Sequence, residues 1–416
     1  MLTDTSIKFL NSSNLNGPLL NTDWGALVRL YDACLVDGIN LLNIASLSIS
    51  GSSPETSDLV TITYLTPHGY QQYQVLLLSG SQVEALNGEH RIQSVSTDGL
   101  SLTFKIKTNV VDAGNILNIM TKLAPLGWTK EYSGTNRAVY KMNSSNGPNH
   151  YFFVLNDNPN NNGATGYDST WARYATTGMA EGLGQDFNPQ GLCTPTTWSD
   201  IYPRGSGGNV IQGAGKVYYA YNTYNLDNIY DANQVQAGNR RWEIYGDNSY
   251  FYLFNSNNLN YTSYQMTGCG QYDCIHQGYN YNTFINNNTW DNKTAVSWHS
   301  LVVDTNQIIG FTDERIVKSL SNLNSINGGS LRIRSLNGIS VSGYNSILNV
   351  NGPANLLKAY VIDADNILMG AYKNIYWLGS LKPFINGQIF TQGQNTYKAI
   401  NMIRSGYEGQ IVVKIV

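Results

Sequence analysis

Short runs in which apolar and polar residues alternate, separated by turn residues, dominate the first third of the chain. The run "DLVTITYL" alternates from Val60 to Leu65, as a half-buried strand does. The run "YQVLLLSG" predicts a second strand, too apolar to have a free face. In "EHRIQSVSTDGLSLTFKIKT", Asp98 and Gly99 predict a β-hairpin with a two-residue turn. These strands, within about 65 residues, predict a small β-sandwich or barrel in the region from about Ile39 to Leu123.

One segment before this region has helical periodicity instead. In "NTDWGALVRLYDACLV", apolar residues recur at the three- and four-residue spacing of an amphipathic helix. Thr22 or Asp23 is the predicted N-cap, and Gly38 is predicted to end the helix. Cys34 lies on the apolar face, which indicates a core residue rather than a reactive thiol.

The chain after Lys141 keeps the strand pattern. "HYFFVLND" predicts a strand, and "RRWEIYGDNSYFYLF" predicts a hairpin that turns at residues 246–248. "AVSWHSLVVDTNQIIGF" and "GQIVVKIV" predict further strands, and frequent turn residues argue against a long helix after about residue 190. No repeat of fixed period indicates a solenoid or a propeller.

Composition narrows the class of protein. The 416 residues are 42% hydrophobic and 12% aromatic, which allows a sizeable core and argues against disorder. Only 13% are charged, and the formal net charge is −3. Nucleic acid is therefore not expected as the main partner, because phosphate binding needs a clustered basic surface. Two explanations of the low charge stay open: a surface suited to permanent protein contacts, or a codon usage that favours Asn and Tyr.

The sequence also gives expectations about the compartment. "MLTDTSIKFLNSSN" has neither a basic segment nor an apolar core followed by small residues, so no signal peptide is expected. No apolar run reaches about 18 residues, so no membrane span is expected. Four cysteines are too few for a disulfide scaffold at this length. The chain is expected to be made in a cytoplasm, and to stay there or to leave inside a particle.

Two motifs become adjacent when residues 39–123 are set aside. They are "DACLVDG", residues 32–38, and "GWTKEYSGTNRAVYK", residues 127–141. Together they resemble the hallmark of a family of tailed-bacteriophage virion structural proteins, in which a "DACLV-G" helix end precedes "GWT-x-x-(F/Y)SGTN-x-AVY", directly or after an inserted β-domain. "PHGY" at residues 67–70 and "LNGEHRIQSVS" at residues 86–96 are similar to the family's version of that insert.

The resemblance covers most of the chain. "DSTWARYATTGMAEGLGQDFNP" and "RRWEIYGDNSYFYLF" are similar to further family stretches. The sequence departs from the family where Asn188 interrupts a Phe-Pro pair, and in "LRIRSLNGISV", which keeps only a trace of the family pattern. These departures concern the contacts made by the C-terminal third.

The resemblance implies a structural component of a phage virion, in the tail or baseplate, that is assembled in the cytoplasm of the host bacterium. Its expected partners are other virion proteins and, in a symmetric homo-oligomer, further copies of itself. The family offers no catalytic residues, and neither enzyme activity nor a cofactor is expected. A head decoration or collar protein is an alternative position. A tail protein that binds or depolymerises host-surface carbohydrate is an alternative function.

The predicted domain organisation follows from the adjacency of the two motifs when residues 39–123 are set aside. Residues 1–38 and 124–416 are predicted to form one discontinuous β-rich main body, with candidate subdivisions near 190–210 and 320–330. Residues 39–123 are the predicted inserted domain. An insertion into an exposed turn is tolerated because the entropic cost of loop closure grows slowly with loop length. The predicted fold class is mainly β: a β-sandwich or barrel-like main domain, one N-terminal helix and a small inserted β-domain.

One cluster resembles a metal site. "CGQYDCIH" contains Cys269, Cys274 and His276 at a spacing that is unusual for zinc, which prefers cysteine pairs two to four residues apart and four ligands in all. Cys193 is a candidate fourth ligand. A zinc site, a disulfide and ordinary loop cysteines all stay open, the last being favoured, so no metal is expected. His68, His90, His150 and His299 lie in turns and strands without a nucleophile at a recognised spacing, and they are interpreted as structural histidines.

A carboxylate beside aromatic residues underlies the carbohydrate alternative. Glu243 is flanked by Trp242 and Tyr245 and is a candidate for a glycosidase carboxylate or a sugar-stacking surface. Glycoside hydrolysis needs two carboxylates that face each other across the bond, and core packing is the favoured role for residues of an aromatic hairpin. "GLGQDF" and "GSGGN" lack the Lys-Ser/Thr of a phosphate-binding loop and are predicted to be plain loops.

Overall fold

The structure is a computed structural model, and its fold is mainly β, which confirms the predicted fold class. It describes residues 7–51, 58–106, 114–145, 149–155, 157–158, 165–187, 189–194, 216–220, 234–256, 258–259, 264–275, 282–286, 356–362, 368–377, 382–404 and 407–416. Four β-sheets account for the described strands. The predicted strand in "AVSWHSLVVDTNQIIGF" and the glycines of "GSGGN" lie outside the described residues.

The helix is shorter and less regular than its sequence pattern predicts. An α-helix, α1, spans Ala26–Tyr31 and continues directly as a π-helix over Asp32–Asp37. Gly38 ends it, as predicted, with φ of 76°. The predicted N-caps Thr22 and Asp23 are wrong, because the N-cap is Gly25, with φ of 81° and no side-chain cap of its own. Short 3-10 turns lie at Glu84–Leu86 and Gln185–Phe187.

Residues 39–123 form one seven-stranded sheet. Its strands are β2 Ile39–Asn43, β3 Ser46–Ser50, β4 Asp58–Thr63, β5 Val75–Ser79, β6 Gly88–Val95, β7 Ser101–Ile106 and β8 Met120–Leu123. The order across the sheet is β2-β8-β5-β6-β7-β4-β3. Only Ile44 and Ala45 connect β2 to β3, so the two end strands of the order are consecutive in sequence and the sheet curls.

The β6–β7 hairpin is confirmed, but its predicted two-residue turn is wrong. Ser96 and Ser101 form the closing backbone hydrogen bond, which leaves a loop of residues 97–100. Only Gly99 of the predicted pair has a positive φ, of 69°. The Asp98 carboxylate accepts hydrogen bonds from the Ser96 hydroxyl and the Leu100 amide, which stabilises the longer loop.

The two ends of the 39–123 segment lie side by side. Ile39 pairs with Leu123 where β2 meets β8. At Gly38 a Cβ atom would stand 2.4 Å from the Leu123 carbonyl oxygen, so only glycine fits this close approach. Adjacent ends are what an insertion into a turn requires. The division into two domains stays a prediction, because the largest apolar cluster contains residues of both parts, such as Val60 and Trp242.

A second sheet follows the exit from this segment. Its strands are β9 Thr129–Gly134, β10 Arg137–Lys141, β11 Tyr151–Leu155, β12 Arg173–Leu183, β13 Pro189–Thr194 and β14 Lys216–Ala220. The order is β13-β12-β11-β10-β9, and β14 also pairs with β12. Gly134 pairs with Arg137, so Thr135 and Asn136 form a two-residue turn, with Asn136 in the left-handed region at φ of 53°. The "SGTN" segment, residues 133–136, therefore forms the turn of the β9–β10 hairpin.

The remaining strands form two sheets. The five-stranded sheet has the order β1-β15-β16-β17-β19, with β1 Lys8–Asn11, β15 Trp242–Gly246, β16 Tyr250–Asn255, β17 Gln265–Gln271 and β19 Asn282–Asn286. The six-stranded C-terminal sheet has the order β18-β21-β24-β23-β22, with β20 beside β21, and consists of β18 Asp273–Cys274, β20 Leu357–Ile362, β21 Leu368–Trp377, β22 Ile389–Gln392, β23 Asn395–Arg404 and β24 Tyr407–Lys414. The hairpin predicted around residues 246–248 is β15–β16.

Candidate functional site

The cysteine cluster is not assembled in the described part of the chain. Cys269 lies on β17 and is buried in the core, opposite Phe251. Cys274 lies on β18 and is half buried. Cys193 lies on β13, in a different sheet, and His276 lies outside the described residues. Among the residues that the structure describes, no group of three His, Cys, Asp or Glu side chains is placed to hold a metal ion.

Two of the histidines are packed as structural residues. His68 is buried, its Nδ1 accepts the Tyr70 amide at 3.0 Å, and its Nε2 lies 3.4 Å from the Ser101 carbonyl. Burial lowers the pKa of His68, because it disfavours the charged ring. His90 lies 2.7 Å from the Leu86 carbonyl oxygen and stacks on Phe104. His150 is also buried, and His299 lies outside the described residues.

Glu243, the candidate glycosidase carboxylate, forms a buried ion pair. The Lys398 Nζ atom lies 2.6 Å from Glu243 Oε2, and the two side chains are 8% and 11% exposed. The Tyr245 hydroxyl also donates to this carboxylate, and the Tyr264 hydroxyl lies 3.4 Å from its other oxygen. Lys398 belongs to β23, so the pair joins the C-terminal sheet to β15. The arrangement stabilises an interface between sheets.

The aromatic hairpin is core rather than a surface platform. Trp242 and Tyr245 are both fully buried. The Trp242 indole donates to the Pro18 carbonyl at 3.0 Å, and the Tyr245 ring stacks on Phe9. Neither ring is placed to stack on a sugar from solvent.

The start of α1 is held by a carboxylate that is distant in sequence. Asp157 Oδ2 accepts hydrogen bonds from the Leu27 amide at 3.0 Å and the Val28 amide at 3.4 Å, and Oδ1 accepts the Tyr219 hydroxyl. The Asp157 carbonyl also accepts the Gly25 amide. This carboxylate supplies the N-terminal cap that local sequence does not. Burial raises the pKa of Asp157 to about 6, and its hydrogen bonds oppose that rise.

Side chains of β12 and β14 also hold the residues that precede α1. The Arg173 Nε atom donates to the Thr22 carbonyl at 2.6 Å, and its guanidinium lies 4.6 Å from the Trp24 ring centre. The Tyr219 hydroxyl lies 3.1 Å from the Asp23 carbonyl oxygen. The residues before α1 are therefore anchored by β12 and β14, which belong to the second sheet.

The two halves of the family-like hallmark meet in space. Asp32, from "DACLVDG", pairs with Lys130 at 2.8 Å and accepts the Tyr140 hydroxyl at 2.7 Å. Backbone amides of Leu126 and Trp128 donate to the carbonyls of Cys34 and Leu35. The helix end and the β9–β10 hairpin thus form one continuous unit, although residues 39–123 separate them in sequence.

A third group of polar contacts joins the 39–123 segment to the rest. Lys8 is 4% exposed and pairs with Glu89 at 2.6 Å. Arg91 donates to the carbonyls of Ile7, Tyr73 and Ile415, and so connects β6 to the residue before β1 and to the residue after β24.

Asp157 is a structurally important residue that the sequence patterns do not predict. It belongs to "NDNPNNNGATGYDST", a stretch with the composition of a loop. Its partners are 62 and 130 residues away along the chain. No local pattern marks such a residue, and the sequence signal is limited to an aspartate two residues after a buried strand.

The chain matches no protein-family model. It also matches no curated protein sequence. None of the helices in the described part of the chain is long and apolar enough to cross a membrane.

Proposed function

We propose that this protein is a structural component of a tailed-bacteriophage virion, in the tail or baseplate, and that it acts through permanent contacts with other virion proteins and with copies of itself. The observation that supports the proposal is the contact between "DACLVDG" and "GWTKEYSGTNRAVYK". Motifs that resemble one family hallmark form a single helix-to-hairpin unit through Asp32, Lys130 and Tyr140.

The buried polar groups favour a structural role over catalysis. Asp157 caps a helix, Glu243 pairs with Lys398, and Glu89 pairs with Lys8. Each of these carboxylates joins two elements of the fold through amide, hydroxyl or lysine donors, whereas glycoside hydrolysis needs two carboxylates that face each other across the bond. The burial of Trp242 and Tyr245 likewise speaks against the carbohydrate alternative at this hairpin.

The low charge of the chain favours permanent attachment. With 13% charged residues, contacts with neighbours would depend on apolar area and neutral hydrogen bonds. Obligate interfaces commonly bury about 2,000–5,000 Å². Contacts of this kind are weakly affected by salt, because ionic screening acts on charge pairs.

Purified virions test the proposal. The protein is expected at a fixed ratio to the other virion proteins, and it is expected to stay bound through a wash at about 1 M salt, where the screening length is about 3 Å. Imaging of particles that carry a tag on this chain would show which ring or fibre contains it. Absence from purified particles contradicts the proposal. Release at about 1 M salt from particles that stay intact contradicts the permanent, uncharged attachment.

A further inference from the structure

Among the described residues no strand pairs with the outer edge of β3, and the strand carries no charged side chain. Within the described residues β3 pairs with β4 alone, in a regular register that runs from Ser46 opposite Thr63 to Ser50 opposite Leu59. Its sequence is Ser-Leu-Ser-Ile-Ser. The three serines are exposed, and the two apolar residues are half buried against the core. The other edge of this strand presents backbone groups that a further strand can pair with.

Other edge strands carry features that discourage pairing with another chain. β2, at the opposite end of the same order, has a register irregularity between Ile39 and Leu42, and Asn40 has φ of 60°. β9 contains the charged residues Lys130 and Glu131 and has an irregular register with β10. Charges and bulges are the usual protection of an exposed edge. β3 has neither.

The sequence of β3 is complementary to itself. When two copies pair antiparallel about Ser48, Ser46 of one copy lies opposite Ser50 of the other, and Leu47 lies opposite Ile49. Directly opposed residues of an antiparallel pair point to the same face of the sheet. The leucine–isoleucine pairs therefore extend the apolar face across the junction, and the serines extend the solvent face.

The uncharged edge strand β22 provides a contrast. Its sequence is Ile-Phe-Thr-Gln, and it is also the last strand of its sheet. Antiparallel pairing with a second copy about its centre would place Ile389 opposite Gln392 and Phe390 opposite Thr391. Apolar residues would face polar ones, so β22 lacks the self-complementarity of β3.

We propose that β3 is a self-association edge, at which two copies of this chain pair their β3 strands antiparallel about a two-fold axis through Ser48. The closed two-fold contact reuses one patch on both copies, as an isologous interface does. The proposal deepens the self-contact part of the proposed function, but it concerns the chain itself and does not depend on the virion. A five-residue strand pair is small, so the contact is expected to be weak for the free chain and stronger where a particle holds many copies together.

Site-specific disulfide formation tests the register. Facing residues of an antiparallel pair have Cβ atoms about 4.5–5.5 Å apart, close to the separation that a disulfide spans. Ser48→Cys should therefore give a covalent dimer under mild oxidation, at least about tenfold faster than Ser46→Cys or Ser50→Cys alone. An equal mixture of those last two variants should cross-link as well, because the two positions face each other. The unaltered chain, oxidised in parallel, controls for its own cysteines.

Equal rates at positions 46, 48 and 50, or no dimer at any of them, would overturn the proposal. The cross-linking uses purified full-length chain, whereas the proposed function is tested on particles. Failure of β3 pairing would thus leave the virion proposal standing, and absence from virions would leave the β3 result unchanged.

A charged residue at position 48, on the proposed two-fold axis, provides an independent test of β3 pairing. Ser48→Lys places two like charges directly opposite each other, which destabilises the pair, and dimer formation measured by sedimentation should weaken at least about tenfold. Gln93→Lys is the matched control, because Gln93 is exposed on β6, an inner strand of the same sheet. Mixing Ser48→Lys with Ser48→Asp should restore the dimer. A dimer that survives Ser48→Lys unchanged, or equal loss in both lysine variants, would contradict pairing at β3.

Discussion

At the scale of single residues, the buried side chain of Asp157 determines how the helix begins. It accepts two amides of α1 and the Tyr219 hydroxyl, and it lies in a fully buried position. A carboxylate at a helix N-terminus is stabilised by the helix dipole. Burial opposes ionisation more strongly here, since the pKa of Asp157 is raised to about 6.

The first prediction concerns how Asp157 makes the stability of the protein depend on pH. Because the folded-state pKa of Asp157 lies above its usual value of 3.8, its contribution to stability is fully present below about pH 4 and is lost as the pH rises through 6. The loss is on the order of 3 kcal/mol in the free energy of unfolding. Asp157→Asn removes this titration, so the stability of the variant relative to the native chain should rise between about pH 4 and pH 7. Urea unfolding of the native chain and of the Asp157→Asn variant, at about pH 4 and at pH 7, measures this change.

Two further variants control that experiment. Asp157→Ala leaves buried amides without an acceptor and should cost roughly 1–3 kcal/mol. Asp98→Asn should leave the profile between about pH 4 and pH 7 nearly unchanged, because hydrogen bonds from Ser96 and Leu100 lower the pKa of Asp98, and its contribution is lost only as the pH falls below that window. A native chain and an Asp157→Asn variant with parallel pH profiles would contradict the role assigned to Asp157.

The second prediction concerns the buried pair of Glu243 and Lys398. Lys398→Met leaves a buried carboxylate whose remaining donors, among the described residues, are the Tyr245 and Tyr264 hydroxyls, and it should destabilise the protein by about 3–5 kcal/mol. Adding Glu243→Gln should recover most of that loss, because the double variant has no unpaired buried charge. Arg29→Met is the control: Arg29 and Asp23 form an exposed pair at 3.7 Å, and its loss should cost at most about 1 kcal/mol. Urea unfolding measures the free energy of unfolding of the two single variants and the double variant. If the effects of Lys398→Met and Glu243→Gln simply add, the two side chains are not coupled.

At the scale of elements, the sequence predicted the strands and the C-terminal end of the helix well, and the N-terminal end of the helix poorly. The alternation of "DLVTITYL" is present as the alternating burial of β4, and "RRWEIYGDNSYFYLF" is the β15–β16 hairpin. Period-2 patterning is a local property, so it can be read without knowing the partner strand. The N-cap prediction is wrong because the acceptor of the first helical amides, Asp157, follows a strand of the second sheet and lies 130 residues from Leu27 in sequence. The ion pair of Glu243 was missed for the same reason, since Lys398 is 155 residues away.

The third prediction concerns the junction between α1 and β2. Gly38→Ala would place a methyl group 2.4 Å from the Leu123 carbonyl in a residue with φ of 76°. Since both the contact and the left-handed backbone are unfavourable, the loss of stability should exceed the roughly 1–3 kcal/mol that a strained backbone costs alone. Gly393→Ala is the control, because Gly393 has φ of 63° and open space around it. Thermal unfolding should separate the two variants, and equal losses would show that the close approach to Leu123 is unimportant.

At the scale of the whole molecule, the 39–123 segment is both separable and anchored. Its strands pair only with each other among the described residues, and its ends meet where Ile39 pairs with Leu123. Yet Lys8 is buried by its contact with Glu89, and Arg91 bonds to the backbone at Ile7 and Ile415. The segment therefore resembles an insertion whose base is fixed to the body by polar contacts.

The last prediction joins these two properties. Removing residues 40–123 with a short Gly-Ser join should leave a folded body with one cooperative thermal transition, because the ends to be joined are adjacent and the other three sheets keep their strand pairs. The melting temperature should fall, because apolar residues that share the common core with the segment, such as Leu30 and Trp242, become partly exposed. A shortened chain that is insoluble or melts without cooperativity would show that the segment is an integral part of the body rather than an insertion.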